Sequence, residues 1–349
     1  MHRLLLRISS LLVLAISLIG CTAMGTATVP YNELAEKYTN LSSQYMDING
    51  LTVHYRIEGQ GPPLVLLHGV SSSLHTWDAW VDQLKDKYQV IRLDMPGFGL
   101  TGPDDNPNSK SEKSDYMVDV LNTFTEKLGL DRFFLVGNSL GGYFAWNYAA
   151  KYPSKLYKMV LMSATGYPQD MPFWLGFASF PGMHWISPYI MPKFLVNRTI
   201  YSAYENDDVV TDEVKARYFD MLQRRGNRES YVRHFVNMRD MVDDESLGEK
   251  VKDVVVPTLL MWGAEDNWIP IDVMRHFHRD LPYSEYLVYE GVGHLPMEEV
   301  PVQSARDANN FFMSELRKPS AHLQESEIKF YDAQQYDFHM GSNEDESPL

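Results

Sequence analysis

The chain is poor in cysteine, in basic charge and in long apolar runs. One cysteine, Cys21, occurs in 349 residues, so no intramolecular disulfide can form. Lys and Arg number 31 against 46 Asp and Glu, a formal net charge of −15. A surface this acidic repels phosphate backbones and excludes nucleic acid as an expected partner. It equally opposes electrostatic docking onto anionic lipid. No cluster of ligands has zinc spacing, no internal repeat is visible, and neither a metal nor an organic cofactor is expected. The one apolar stretch at the N-terminus, Ile8 to Ile19, is broken by Ser9, Ser10 and Ser17 and is too short for a comfortable membrane span.

What is present is an ordinary globular balance, 44% hydrophobic and 22% charged. The length suits one large α/β domain with an insertion, or two of average size. At the N-terminus, Arg3 and Arg7 precede the apolar stretch, and Gly20 closes it. This pattern predicts a secretory signal peptide over residues 1–20. Leu18-Ile19-Gly20-Cys21 resembles the lipobox of bacterial lipoproteins, in which the preceding segment is removed and the Cys carries lipid. The resemblance implies lipidation at Cys21, a tether over 21–43, a membrane as partner through that anchor, and a place in a bacterial cell envelope. Thr22 after the Cys, where Asp would signal retention, points to the outer membrane, facing periplasm or surface. The plainer alternative makes Cys21 a small residue in an ordinary signal or anchor.

From Tyr45 the pattern is structural. Two alternating runs flank Asn49-Gly50, a strong hairpin signal. After Pro62-Pro63 come continuous apolar runs: Leu64–Leu67, Val90–Leu93, Phe133–Val136, Met159–Met162 and Thr258–Trp262. Such runs fit strands buried on both faces of a parallel sheet. Helical stretches at about 76–86, 114–128, 140–151, 271–280 and 301–317 alternate with them, which argues a doubly wound α/β sheet. The core is therefore assigned to 44–165 and 251–318. Between them, 166–250 holds no buried strand. It is rich in Phe, Trp, Met and Tyr and cut by Pro172, Pro181, Pro188 and Pro192. It reads as an inserted helical cap, with a peripheral helical layer as the alternative. Residues 319–349 form an acidic tail in which partial disorder is expected.

Three segments carry chemistry. Gly137-Asn138-Ser139-Leu140-Gly141 follows a buried strand and opens a helix, the context of a nucleophile elbow. A serine hydroxyl needs a base and an orienting acid. His294 lies in Gly291-Val292-Gly293-His294, a loop just after the strand-like Glu285 to Tyr289, at the carboxyl edge of the sheet. The acid is expected after Thr258–Trp262, where Asp266 is chosen and Glu265 is the neighbouring alternative. Two amides should stabilise an oxyanion: Leu140, directly after the nucleophile, and Val70, in His68-Gly69-Val70 after the first buried strand. His68 is expected to brace that loop, and Asp94 to stabilise the loop through Gly97 and Gly99.

Together these motifs, with Asp94-Met95-Pro96-Gly97-Phe98-Gly99, resemble the α/β-hydrolase superfamily, nearest its capped esterases and carbon–carbon bond hydrolases. The resemblance covers roughly 45–317. It implies the α/β-hydrolase fold, a mostly parallel doubly wound sheet with an inserted helical cap. It also implies a serine hydrolase with catalytic Ser139, Asp266 and His294. Serine at the elbow argues against relatives that use Asp there. The expected reaction is hydrolysis of an ester with an apolar acyl or aromatic substrate through an acyl-enzyme. The apolar cap could instead face lipid near the anchor, as in a lipase. Three rivals stand beside this: acyl transfer to an alcohol, carbon–carbon bond hydrolysis on the same triad, and a lipid-anchored binding protein without turnover.

Overall fold

A computed structural model describes residues 23–104, 113–170, 180–242, 244, 246–315 and 330–332. The leader 1–20, Cys21 and all of the tail 319–349 except 330–332 lie outside the described residues.

Among the described residues, nine strands form one sheet: β1 (Ser43–Ile48), β2 (Leu51–Glu58), β3 (Pro63–Leu67), β4 (Gln89–Leu93), β5 (Phe133–Asn138), β6 (Leu156–Met162), β7 (Thr258–Gly263), β8 (Ser284–Glu290) and β9 (Phe330–Asp332). Their order is β1-β2-β4-β3-β5-β6-β7-β8-β9. The β1–β2 and β2–β4 pairings are antiparallel and the other six are parallel. The hairpin turns at Asn49 and Gly50, both at positive φ (56° and 93°), as a type I′ turn requires. The five apolar runs are β3 to β7, and the strand-like Glu285 to Tyr289 is β8. β7 is buried at every position, because helices cover both faces of a parallel sheet.

The order sets where a site can form. From β3 the chain steps to β4 on one side, then returns to β5 on the other. The loops leaving β3 and β5 therefore diverge at one sheet edge, the position where ligand crevices open in doubly wound folds.

The insertion is helical, as expected. Its described part comprises Met183–Ile186, Lys193–Tyr201, Asp212–Leu222 and Asn227–Val242. The last two are longer than the proline spacing near the start of the insertion suggests. Thr211 caps the third, its hydroxyl accepting from the Val214 amide at 3.3 Å. A short helix, Pro296–Glu299, follows His294 and was not anticipated. Strand β9, inside the acidic tail, extends the sheet edge beside β8 and was not anticipated either. Among the described residues, no helix is long and apolar enough to cross a membrane.

Candidate active site

Ser139 stands between β5 and the helix Leu140–Lys151, at φ 54° and ψ −117°. Non-glycine residues rarely adopt this conformation, so the local structure must hold it. Two backbone bonds do so: Ser139 N–H donates to the Met162 carbonyl at 3.0 Å, and the Thr165 N–H donates to the Ser139 carbonyl at 3.3 Å. The turn also needs glycines. A Cβ on Gly137 would strike the Gly141 carbonyl, and one on Gly141 would come within 2.5 Å of the Leu67 and His68 carbonyls. Strand, helix and β3 loop thus meet at backbone contact, which positions the serine.

His294 is buried, and its Nδ1 lies 2.9 Å and 3.1 Å from the two carboxylate oxygens of Asp266. Oδ1 of Asp266 also accepts the amides of Trp268 and Ile269 at 2.8 and 2.9 Å. The carboxylate is therefore fixed before the imidazole meets it. Glu265, the alternative acid, turns elsewhere: its side chain accepts the Val292 amide at 3.2 Å. Among the described residues, the buried His294 Nε2 has no hydrogen-bond partner. A buried ring nitrogen left open in this way is a place for a partner to arrive.

That nitrogen's ring and Ser139 line the same cavity, of ≈ 90 Å³. No Ser139–His294 hydrogen bond is formed, and such bonds often tighten only with substrate in place. The core contributes Val70, Ser72, Asn138, Trp268 and Leu295 to the wall; the cap contributes Met191, Leu195, Ile200, Tyr204, Tyr218 and Phe235, among others. The wall is predominantly apolar, as a small-molecule pocket requires. No Lys or Arg is among its described lining residues.

The two expected oxyanion donors sit beside the serine. Leu140 is the first residue of its helix, so its N–H has no intrahelical acceptor. Val70 lines the cavity, and no acceptor for its amide is found among the described residues. Gly69 lets the Val70 loop approach: a Cβ there would lie 2.9 Å from Asn138 Oδ1 and 3.1 Å from Ser139 Cβ. His68 braces this loop. Its Nδ1 donates to the Gly69 carbonyl at 2.8 Å, and its Nε2 accepts the Met95 amide at 3.0 Å. Burial holds its pKa below the ordinary imidazole value. Asp94 stays away from the cavity. It accepts His54 Nδ1, the Leu74 amide and the Leu100 amide at 2.7–2.8 Å. Burial pushes its carboxyl up, but these partners and nearby imidazoles hold it well below the usual carboxylate range.

Several contributors were missed from the sequence. Asn138 Nδ2 donates to the carbonyls of Met162 and His294, both at 3.2 Å, and so ties the elbow to the histidine loop. The Trp268 ring lies 4.9 Å from the His294 ring, centroid to centroid. The cap grips the same loop. His294 N–H donates to the Ala203 carbonyl at 2.8 Å, while Glu299 accepts the amides of Gly293, Glu205 and Asn206 at 2.9–3.0 Å. Glu298 joins Arg217 (3.1 and 3.2 Å) and the Tyr204 hydroxyl (2.8 Å) of the cap to Thr76 of the core. Asn138 sat inside the elbow motif, and Trp268 lies two residues after the expected acid Asp266. Glu298, Glu299 and Arg217 had no local signal, since their partners are remote in sequence.

Comparison with known proteins agrees with this architecture. The family model described as the alpha/beta hydrolase fold matches residues 62–301. A 2-hydroxy-6-oxononadienedioate/2-hydroxy-6-oxononatrienedioate hydrolase of Paraburkholderia phymatum is 32% identical over 280 residues, covering 77% of this chain and 93% of the relative. The solved structure of a meta-cleavage product hydrolase from Pseudomonas fluorescens is 25% identical with a TM-score of 0.69, covering 78% of this chain and 98% of that one. A membrane phospholipase A described as a bacterial virulence factor shares the fold at 24% identity and a TM-score of 0.67, over 89% of this chain and 98% of its own.

Proposed function

Because this chain belongs to the α/β-hydrolase fold family, we propose that it is a serine hydrolase with Ser139 as nucleophile, His294 as general base and Asp266 orienting His294. One observation carries the reading. The buried Asp266–His294 pair leaves the second ring nitrogen without a partner, in the wall of the cavity that Ser139 also lines.

In this mechanism the Ser139 oxygen adds to a substrate carbonyl carbon as His294 Nε2 takes its proton. The oxyanion that forms accepts the Val70 and Leu140 amides. Collapse expels the leaving group, which receives the proton from His294. Water then attacks the acyl-enzyme, again giving its proton to His294, and Ser139 is regenerated as the acid leaves.

The bond broken is the finer question. The named relatives are hydrolases of 2-hydroxy-6-oxo-dienedioates and of meta-cleavage products, and they support carbon–carbon bond hydrolysis over the ester expectation. In that case the leaving carbon must hold an electron pair, so the substrate must conjugate it to a carbonyl or enol. Ester hydrolysis is the second reading, favoured by the cavity itself. A dicarboxylate would bring two negative charges to a wall with no Lys or Arg among its described residues, which is costly without pairing. Under either reading the acyl side is apolar.

Two measurements test this. A fluorophosphonate probe should label Ser139 and not Ser139→Ala; absence of labelling would reject the nucleophile. Comparing kcat/KM for a 2-hydroxy-6-oxodienoate with an apolar 6-substituent against nitrophenyl esters of graded length separates the two bonds. An added alcohol in the same assay reports any acyl transfer.

A further inference from the structure

Exposed apolar side chains concentrate in one stretch of the cap. Trp185, Tyr189 and Phe194 are 73%, 69% and 68% exposed, with Ile186 and Ile190 beside them. The stretch is held from its other side. Ser187 is buried, the Pro188 carbonyl accepts Arg228 Nε at 2.9 Å, and Met191 lines the cavity. A firmly seated segment that turns large aromatics to solvent calls for a partner.

The start of the described chain supplies the second observation. Arg228 Nη1 donates to the carbonyls of Gly25 and Ala27 at 2.9 and 2.7 Å. Gly25 takes positive φ (61°), and a Cβ there would strike the Met191 carbonyl. The N-terminal strap is thus clamped onto the same stretch of cap. Cys21 precedes Gly25 by four residues, which can span no more than about 14 Å. Lipid carried by Cys21, as its lipobox resemblance implies, would enter a bilayer within that reach of Gly25, which packs on the Met191 carbonyl of the same stretch.

We infer that residues 185–194 rest against the bilayer that holds the Cys21 anchor, with Trp185, Tyr189 and Phe194 in its interfacial layer. Trp185 and Tyr189 have an apolar body and a polar edge, and such rings settle at that depth, while Phe194 adds apolar area beside them. The net charge of −15 assigns the attraction to apolar burial, so zwitterionic phosphatidylcholine suffices and salt does not release the contact. Met191 within this segment, and Leu195 and Val196 just after it, line the cavity. The substrate wall and the lipid face are therefore two sides of one layer, suited to apolar substrates partitioned into the membrane.

The test uses the full-length chain, isolated with its lipid and reconstituted into phosphatidylcholine vesicles with brominated acyl chains. Bromolipid should quench part of the tryptophan emission, Trp185→Phe should remove most of the quenched part, and 0.5 M salt should leave it unchanged. Absence of quenching, or undiminished quenching in Trp185→Phe, would overturn the inference. Cross-linking of vesicle-bound chains that disappears in Tyr189→Ser/Phe194→Ser, with no quenching, would assign the face to a second copy and also overturn it. No turnover is measured, so failure here leaves the proposed triad untouched.

Discussion

Oδ2 of Asp266 lies 2.9 Å from Nδ1 of His294, and Oδ1 of the same carboxylate is held by the Trp268 and Ile269 amides. The carboxylate is an acceptor on both sides, so Nδ1 must carry the proton and Nε2 must be the open base. Asp266→Asn replaces one acceptor by a donor and favours the opposite tautomer. It should lower kcat by about 10⁴-fold with little change in KM. A loss under tenfold would mean that another group orients His294.

Ser139 stands at positive φ, and its strain gives a stability prediction separate from activity. Ser139→Ala and Ser139→Gly should both lose activity by a factor on the order of 10⁶. Alanine keeps the strained conformation, which costs about 1–3 kcal/mol, whereas glycine adopts it freely and loses only about 0.5–1 kcal/mol in chain entropy. Ser139→Gly should therefore be more stable than Ser139→Ala by about 1 kcal/mol in urea denaturation. The reverse order would show that the turn is not strained.

The elbow was legible because its demands are local: small residues, a buried strand before and a helix after. Strands β3 to β7 were legible because burial on both faces writes continuous apolar runs. Glu298, Glu299 and Arg217 were not, because each is explained only by partners that the fold brings near. Helix Pro296–Glu299 is a single turn after the histidine and too short to show periodicity. Strand β9 lies in an acidic stretch whose composition argues against order, and its pairing with β8 is a property of the sheet edge.

The Arg217–Glu298 pair makes the cap-to-core contact testable. Both side chains are largely shielded, and Glu298 also accepts the Tyr204 hydroxyl. Arg217→Met alone strands a shielded carboxylate and should cost about 3–5 kcal/mol. Arg217→Met/Glu298→Met removes both charges and should recover at least half of that loss, because the unpaired charge carries most of the penalty. A double variant no better than the single one would show that Glu298 matters through Thr76 and Tyr204, and not through Arg217.

Buried histidines set the behaviour in acid. Burial holds His75 and His234 down to about 4 and about 3, with Arg233 adding to the effect at His234, and burial also lowers His68. In the folded protein these imidazoles are neutral through mild acid; in the unfolded chain they take up protons near the ordinary value of about 6.5. The unfolded state thus binds more protons, and stability must fall as pH drops. The contribution is complete above about pH 6.5 and is lost progressively toward the folded values of about 4 for His75 and about 3 for His234. Each such histidine adds a slope of about 1.4 kcal/mol per pH unit within that window. His234 gives the cleanest test. The ring is buried and packs 4.5 Å from that of Phe98. His234→Phe keeps an aromatic ring and removes the titration. Urea denaturation of the parent chain and of His234→Phe between pH 5 and 6 should give slopes that differ by about 1.4 kcal/mol per pH unit, with the variant the flatter. Equal slopes would mean that His234 gains its proton without unfolding, and that the space around it admits enough water to carry the charge.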